Sequence, residues 1–304
     1  MVEDELEQGR AVAEQAIAAA QAVFRGRLAA AYLIGSLAHG GFVAAVSDVD
    51  VALVLDGADH GDPARVQDSA RRVRQQNDSP LAGRLSVFWA SGQSLRSGHP
   101  AGRLPAIDWL DLVESGELAH GLALPDGLQR PAAAQLVAES ASFAVSKWRQ
   151  DPNWHRRLRD GAGLVREGRR AASKAALFPV RFLHTLATGR ADGTPQAADW
   201  YCTTLSGPSR QLVDAAYRWR THGFDDTNAA ARLLNDQLVP LYRQFEAAYR
   251  PRLHEQDLHH LAGELTATIA LLDRTDTPPA SSRRRTVVSA GRCSRLRCSR
   301  RGAC

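Results

Sequence analysis

Apolar and polar positions fall into two regimes along this chain. Up to about residue 124, apolar runs of strand length alternate with amphipathic stretches, and from residue 130 onward every segment keeps a helical period. Residues 3–27 predict an amphipathic helix with Leu6, Ala13, Ile17, Ala20 and Phe24 on one face and acids in its first turn, where the helix dipole favours them. The run from Leu28 to Leu55 reads as a strand, a Gly35-Ser36 turn, a short helix and a second strand that opens at Ser47-Asp48-Val49-Asp50. A polar helix over 63–76 turns Val66 and Val73 inward, and Asn77 to Pro80 breaks it. Arg84–Ser91 is a third strand, and Ser91–Pro105, rich in Gly, Ser and Pro, predicts a loop able to lie over a site. Ala106–Ser115 predicts a helix with Asp108, Asp111 and Glu114 on or near one face, followed by a short strand or extended exit over 117–124 and a hinge at Pro125–Pro131.

The second half predicts only helices. One runs to about Gln150 and is broken by Asp151-Pro152-Asn153-Trp154. A long one covers 164–188, kinked at Pro179 and stopped by Gly189, and Gly161-Ala-Gly163 before it reads as a loop. Thr194-Pro195 starts another, with Pro in a permitted first-turn position, and further helices cover 208–221 and 228–273. The expected organisation is therefore a mixed domain over 1–127, a helical domain over 128–277 and a tail from 278.

Composition narrows the function classes. With 44% hydrophobic and 23% charged residues the 304-residue chain has the make-up of a globular protein and can bury a sizeable core. No segment approaches the apolar length of a membrane span and the start is acidic, so the expected location is the cytoplasm. The net charge of +5 misleads, because eight arginines and no acid lie in 283–304 and the rest of the chain is net acidic. No basic run in the body suggests a specific nucleic-acid partner. The tail has too few large apolar residues to fold and is expected to be disordered. Three of the four cysteines lie there at spacings unlike a zinc motif, and Cys202 is expected to be a buried, inert thiol.

The candidate chemistry sits at the second strand. Alternation along a strand puts Asp48 and Asp50 on the same side, their Cβ atoms about 6–7 Å apart, so the pair can hold a divalent metal. Gly-Ser followed, after ten residues, by Asp-x-Asp on a strand resembles the signature of polymerase-β-type nucleotidyltransferases, in particular bacterial aminoglycoside nucleotidyltransferases. The stretch Arg181–Gly189 with Pro195–Trp200 is similar to the helical domain of the streptomycin/spectinomycin adenylyltransferases. The resemblance implies an α/β nucleotidyltransferase domain with a small mixed sheet and flanking helices, followed by an all-α helical bundle. It implies Mg²⁺ on Asp48 and Asp50, nucleotide phosphates against Gly35 and Ser36, and transfer of a nucleoside monophosphate from ATP or another NTP to an acceptor hydroxyl, such as that of an aminoglycoside. The residue types suit these roles: glycine lets backbone approach phosphate, and Mg²⁺ prefers carboxylate and phosphate oxygen.

Lys174 and Arg181, on one face of the long helix with Phe178, Thr185 and Thr188, are further candidates for nucleotide phosphate; a solvated face or an ion pair between domains is the ordinary structural reading. His39 either faces the phosphates or caps the short helix. The family's third carboxylate, metal ligand or general base, is missing where the third strand would supply it, since Ser86 stands there. Asp108 and Glu139 are the nearest candidates for a displaced acid. Two other functions stay open: a nucleotide-binding pseudoenzyme or regulatory module, and an antitoxin-type transferase that modifies a partner protein.

Overall fold

The computed structural model describes residues 2–98, 101–125 and 128–273, and Met1–Asp273 form one compact unit. The tail from 278 and the centre of the predicted hinge, 126–127, lie outside the described residues. In chain order the elements are α1 (Val2–Phe24), β1 (Leu28–Ile34), β2 (Val49–Leu55), α2 (Asp62–Gln76), β3 (Leu85–Ser91), α3 (Gly92–Arg96), β4 (Gly102–Arg103), α4 (Ala106–Ser115) and β5 (Glu117–Gly121). The helical part follows as α5 (Ala133–Gln150), α6 (Trp154–Leu158), α7 (Gly161–Arg166), α8 (Arg169–Thr188), α9 (Thr194–Thr204), α10 (Ser209–His222), α11 (Thr227–His254) and α12 (His259–Ile269).

The five strands form a mixed sheet in the order β4-β3-β2-β1-β5, with β2 parallel to β3 and the other pairs antiparallel. Register fixes the neighbours of the carboxylate strand: Asp50 lies opposite Ile34 on one side and Ser86 on the other. Strand alternation then separates two cores. Val49, Val51, Leu53 and Leu55 face α1 and α2 with Val12, Ile17, Phe24 and Val66, while Ala52 and Val54 face Leu95 of α3 and Trp109 of α4. Asp50, in phase with Ala52 and Val54, therefore points to the face that α4 covers.

The helices share one apolar core in which Leu164, Leu212, Leu234, Leu241 and Phe245 are fully enclosed. Three details differ from the sequence reading. The predicted loop after β3 contains α3, capped by the Ser91 hydroxyl accepting from Ser94 N–H at 3.1 Å, and the short β4 that extends the sheet. Gly161 and Gly163 lie inside α7, because Asp160 accepts from the Gly163 N–H and starts the helix. The long helix begins only at Arg169, since Gly168 takes φ +100°, a conformation that interrupts a helix.

Pro179 does not break α8. Its missing N–H would leave the Ala175 carbonyl without a helical partner, and the Tyr242 hydroxyl donates to that oxygen at 3.1 Å. In the mixed part of the chain Asp62 ties the start of β1 to α2: its fully enclosed carboxylate accepts from Arg27 at 2.9 and 2.7 Å, from Arg65 at 3.0 Å and from the Asp59 N–H at 2.7 Å. The Arg27 contact first, then the others, hold its pKa below the ordinary carboxylate value. Asp62→Asn is expected to cost about 1–3 kcal/mol near neutral pH, because both arginines can still reach water. The sign follows from the lowered pKa: this stability is present above the unfolded carboxyl value of about 4 and is lost as pH falls through the lower folded one. Denaturant titrations of both proteins should therefore converge in acid; a gap that persists there refutes the assignment.

Candidate active site

β1 delivers its last residue, Ile34, directly into the turn Gly35–Leu37, and the turn lies against the start of β2. Gly35 has φ +66°, and a Cβ there would come within 2.8 Å of the Asp50 Oδ2. Only glycine satisfies both the backbone and this close approach. The Gly35 N–H donates at 2.7 Å to Oδ2 of the buried Asp111 on α4, so this amide anchors the turn from behind. Ser36 makes no hydrogen bond to another described residue and is the part of the turn left for a ligand. Gly35→Ala is expected to lower stability by about 1–2 kcal/mol and to displace the Asp50 carboxylate; denaturation by urea checks it, and an unchanged midpoint refutes it.

The segment between the turn and β2 is fastened by three arginines from three elements. Arg84, just before β3, donates to the carbonyls of Ala44 and Ser47; Arg170 of α8 donates to that of Val46; Arg220 of α10 donates to that of Gly41 at 3.0 Å. Arg220 is 8% exposed, and burial with the nearby Arg181 charge pushes its pKa down to about 10. These contacts fix where Asp48 emerges.

Asp48 and Asp50 differ in environment. Asp48 meets Arg170 Nη2 at 2.6 Å through one oxygen and Lys174 Nζ through the other. Burial opposes its charge, but Lys174 and Arg170 outweigh that and hold its pKa below the ordinary value. Burial likewise lowers the Lys174 ammonium, against the pull of Asp48. Asp50, on the α4 side, is pushed up to about 7 by desolvation and by the Asp48 charge, with Arg181, Lys174 and the Ser86 hydroxyl pulling the other way. Asp108, in the first turn of α4, is also pushed up to about 7, by desolvation and then by Asp50, with Arg181 opposing.

Lys174 pairs with Asp48, and the Arg181 charge acts on Asp50 and Asp108 without a hydrogen bond or ion pair to any described residue. The proposed common face does not extend further: Phe178 joins the aromatic core, and the Thr185 side chain is buried with its hydroxyl donating to Arg190 O. His39 packs between Asp111 and Gly193, its Nε2 3.6 Å from Asp111 Oδ1. Glu139 serves the fold, accepting from the Ala106 N–H at 2.7 Å at the start of α4 and from Gln135 at 2.8 Å. Cys202 is half-buried in α9, less enclosed than expected. Sequence reasoning missed Arg170, Asp111 and Arg220. Arg170 stands one helical turn before Lys174, so extending that face backward would have found it; Arg220 carries no local signal.

Among the described residues no three His, Cys, Asp or Glu side chains already converge as a metal cluster. The pair Asp48 and Asp50 nevertheless suits a hard dication: both offer carboxylate oxygen, and such an ion would favour the Asp50 charge that burial, and after it the Asp48 carboxylate, oppose.

No protein-family model matches the sequence, and no curated protein matches it. Among solved structures the chain is similar to a spectinomycin adenyltransferase from Enterococcus faecialis, solved with ATP and spectinomycin, at 13% identity and a TM-score of 0.48, over 74% of this chain and 98% of that one. At that level the function has to be read from the residues themselves.

Proposed function

We propose that this chain is a nucleotidyltransferase that moves the nucleoside monophosphate of an NTP, with ATP the expected donor, to a hydroxyl of a small-molecule acceptor of the aminoglycoside kind. The observation that carries the reading is the joining, at one point, of two carboxylates at the start of β2, Asp48 just before it and Asp50 within it, a glycine turn that no other residue could form, and the cations Arg170, Lys174 and Arg181 of α8. A cationic wall beside a carboxylate pair suits a polyphosphate, which is charged along its whole length.

In this reading Asp48 and Asp50 hold Mg²⁺, which neutralises and orients the triphosphate when bound. Lys174 and Arg170 are released from Asp48 as the nucleotide enters and exchange a carboxylate for phosphate oxygens. Arg181, with no hydrogen bond or ion pair to a described residue, takes phosphate directly, and Ser36 bonds to it from the turn. The acceptor occupies the α4 side, where its hydroxyl can approach the α-phosphorus in line with the departing pyrophosphate.

The test is incubation of the full chain with α-labelled NTPs, Mg²⁺ and a panel of hydroxylated acceptors including aminoglycosides. Label on an acceptor with matching pyrophosphate supports the proposal. Tight Mg²⁺–ATP binding with no transfer to any acceptor replaces it with a nucleotide-binding module, the reading that Ser86 beside Asp50 favours.

A further inference from the structure

Four acids lie on or against α4, and three of them have structural work. Asp111 accepts from the Gly35 N–H at 2.7 Å, Glu114 accepts from the Ala191 N–H at 2.8 Å and pairs with Arg130, and Glu139 accepts from the Ala106 N–H. Asp108 alone makes no hydrogen bond or ion pair to any described residue. A half-buried carboxylate without a partner is unfavourable for the fold, and such groups mark sites of chemistry more often than chance.

Its place is set by contacts on either side of it. Trp109, the next residue, is 1% exposed and packs on the sheet face formed by Ala30, Tyr32, Ile34, Ala52 and Val54. Asp50 and Ser86 belong to that same face by strand phase and register. One helical turn after Asp108, Asp111 holds Gly35, the residue against which the Asp50 carboxylate rests. Asp108 therefore stands above Asp50, on the acceptor side, opposite a strand position where Ser86 supplies a hydroxyl that does not usefully accept a proton near neutral pH.

On the nucleotidyltransferase reading, we infer that Asp108 is the catalytic base of this chain, taking the proton of the attacking acceptor hydroxyl from α4 rather than from the sheet. The acceptor O–H bond gives its proton to an Asp108 carboxylate oxygen. The acceptor oxygen's electron pair forms the new bond to the α-phosphorus. The bond from that phosphorus to the bridging oxygen breaks, and its pair leaves with pyrophosphate. The products are the nucleotidylated acceptor, pyrophosphate and a protonated Asp108, which returns its proton to solvent.

The experiment compares the full-length wild type, Asp108→Asn, and Asp108→Asn combined with Ser86→Glu. Transfer of α-label from Mg²⁺–ATP to the acceptor panel is measured with pyrophosphate release, and Mg²⁺–ATP affinity by calorimetry. Asp108→Asn is expected to lower kcat about 10²–10⁴-fold while the affinity for Mg²⁺–ATP and the KM for acceptor stay within about threefold. The added Ser86→Glu is expected to recover about tenfold or more, because it returns a carboxylate to the same face from the neighbouring strand. A merely structural Asp108 would not be rescued from another element. The inference is overturned if Asp108→Asn keeps wild-type kcat, or if it loses Mg²⁺–ATP binding in step with turnover. A wild type that binds Mg²⁺–ATP and transfers to nothing overturns the parent reading too, and is told apart because the failure then precedes any substitution.

Discussion

Asp50→Asn is expected to abolish nucleotidyl transfer and leave the chain at least as stable as before, whereas Asp48→Asn is expected to abolish transfer and weaken the fold. On the proposed function, loss of either carboxylate removes half of the charge the pair would offer Mg²⁺, and an effect of several kcal/mol on the barrier corresponds to about 10³-fold or more in rate. The two separate on stability because their neighbours differ. Asp50 is crowded by the Asp48 charge and desolvated, so its ionised form is unfavourable in the fold and a neutral amide relieves it. Asp48 is the shared anion of Arg170 and Lys174, and its removal leaves two cations facing each other beside Arg84. Since the Lys174 side chain is 46% exposed and can turn to water, the cost is about 1–2 kcal/mol rather than that of a sealed pair. Urea titrations in a chelator, alongside the transfer assay, check both halves. Equal midpoints for the two variants would show that the ion pairs of Asp48 add nothing to the fold.

Much of this site was legible because its signals are local. The turn and the Asp-x-Asp alternation follow from a few adjacent residues, and the register that sets Ser86 beside Asp50 follows from pairing the two apolar strands. What escaped depends on docking between distant segments. Arg220 reaches Gly41 across 179 positions, and Arg170 reaches Asp48 across 122, so neither pairing leaves a periodic trace. Asp111 reads as one of three acids on a polar face until β1 brings Gly35 to it. The start of α8 was misplaced for a different reason: the helical period continues through Gly168, and only the positive φ there shows the break. That α8 continues through Pro179 with its freed carbonyl satisfied is equally unreadable locally, because the compensating hydroxyl comes from Tyr242, a residue on another helix.

The same long-range packing makes the helical core the place where one substitution should cost most. Trp148 of α5 is 5% exposed and stacks on Trp154 of α6 at 5.1 Å between centroids and 14° between planes. It also meets Tyr242 and Phe245 of α11 at 5.4 and 5.8 Å and Phe178 of α8 at 6.1 Å. One side chain thus joins four helices. Trp148→Ala removes a buried indole ring and leaves a cavity that rings fixed on separate helices cannot fill, for an expected loss of about 3–5 kcal/mol. The effect should reach the candidate site through Phe178, which lies one turn after Lys174 and just before Arg181 on α8. With that anchor loosened, the α8 cations lose their fixed position while Asp50, held in β2 by the sheet, keeps its own. In the folded fraction the KM for nucleotide is then expected to rise about tenfold with kcat much less changed. Denaturant unfolding followed by tryptophan fluorescence, with nucleotide kinetics measured well below the midpoint, tests both parts. A stability loss with unchanged KM would show that α8 is positioned by other contacts than this ring.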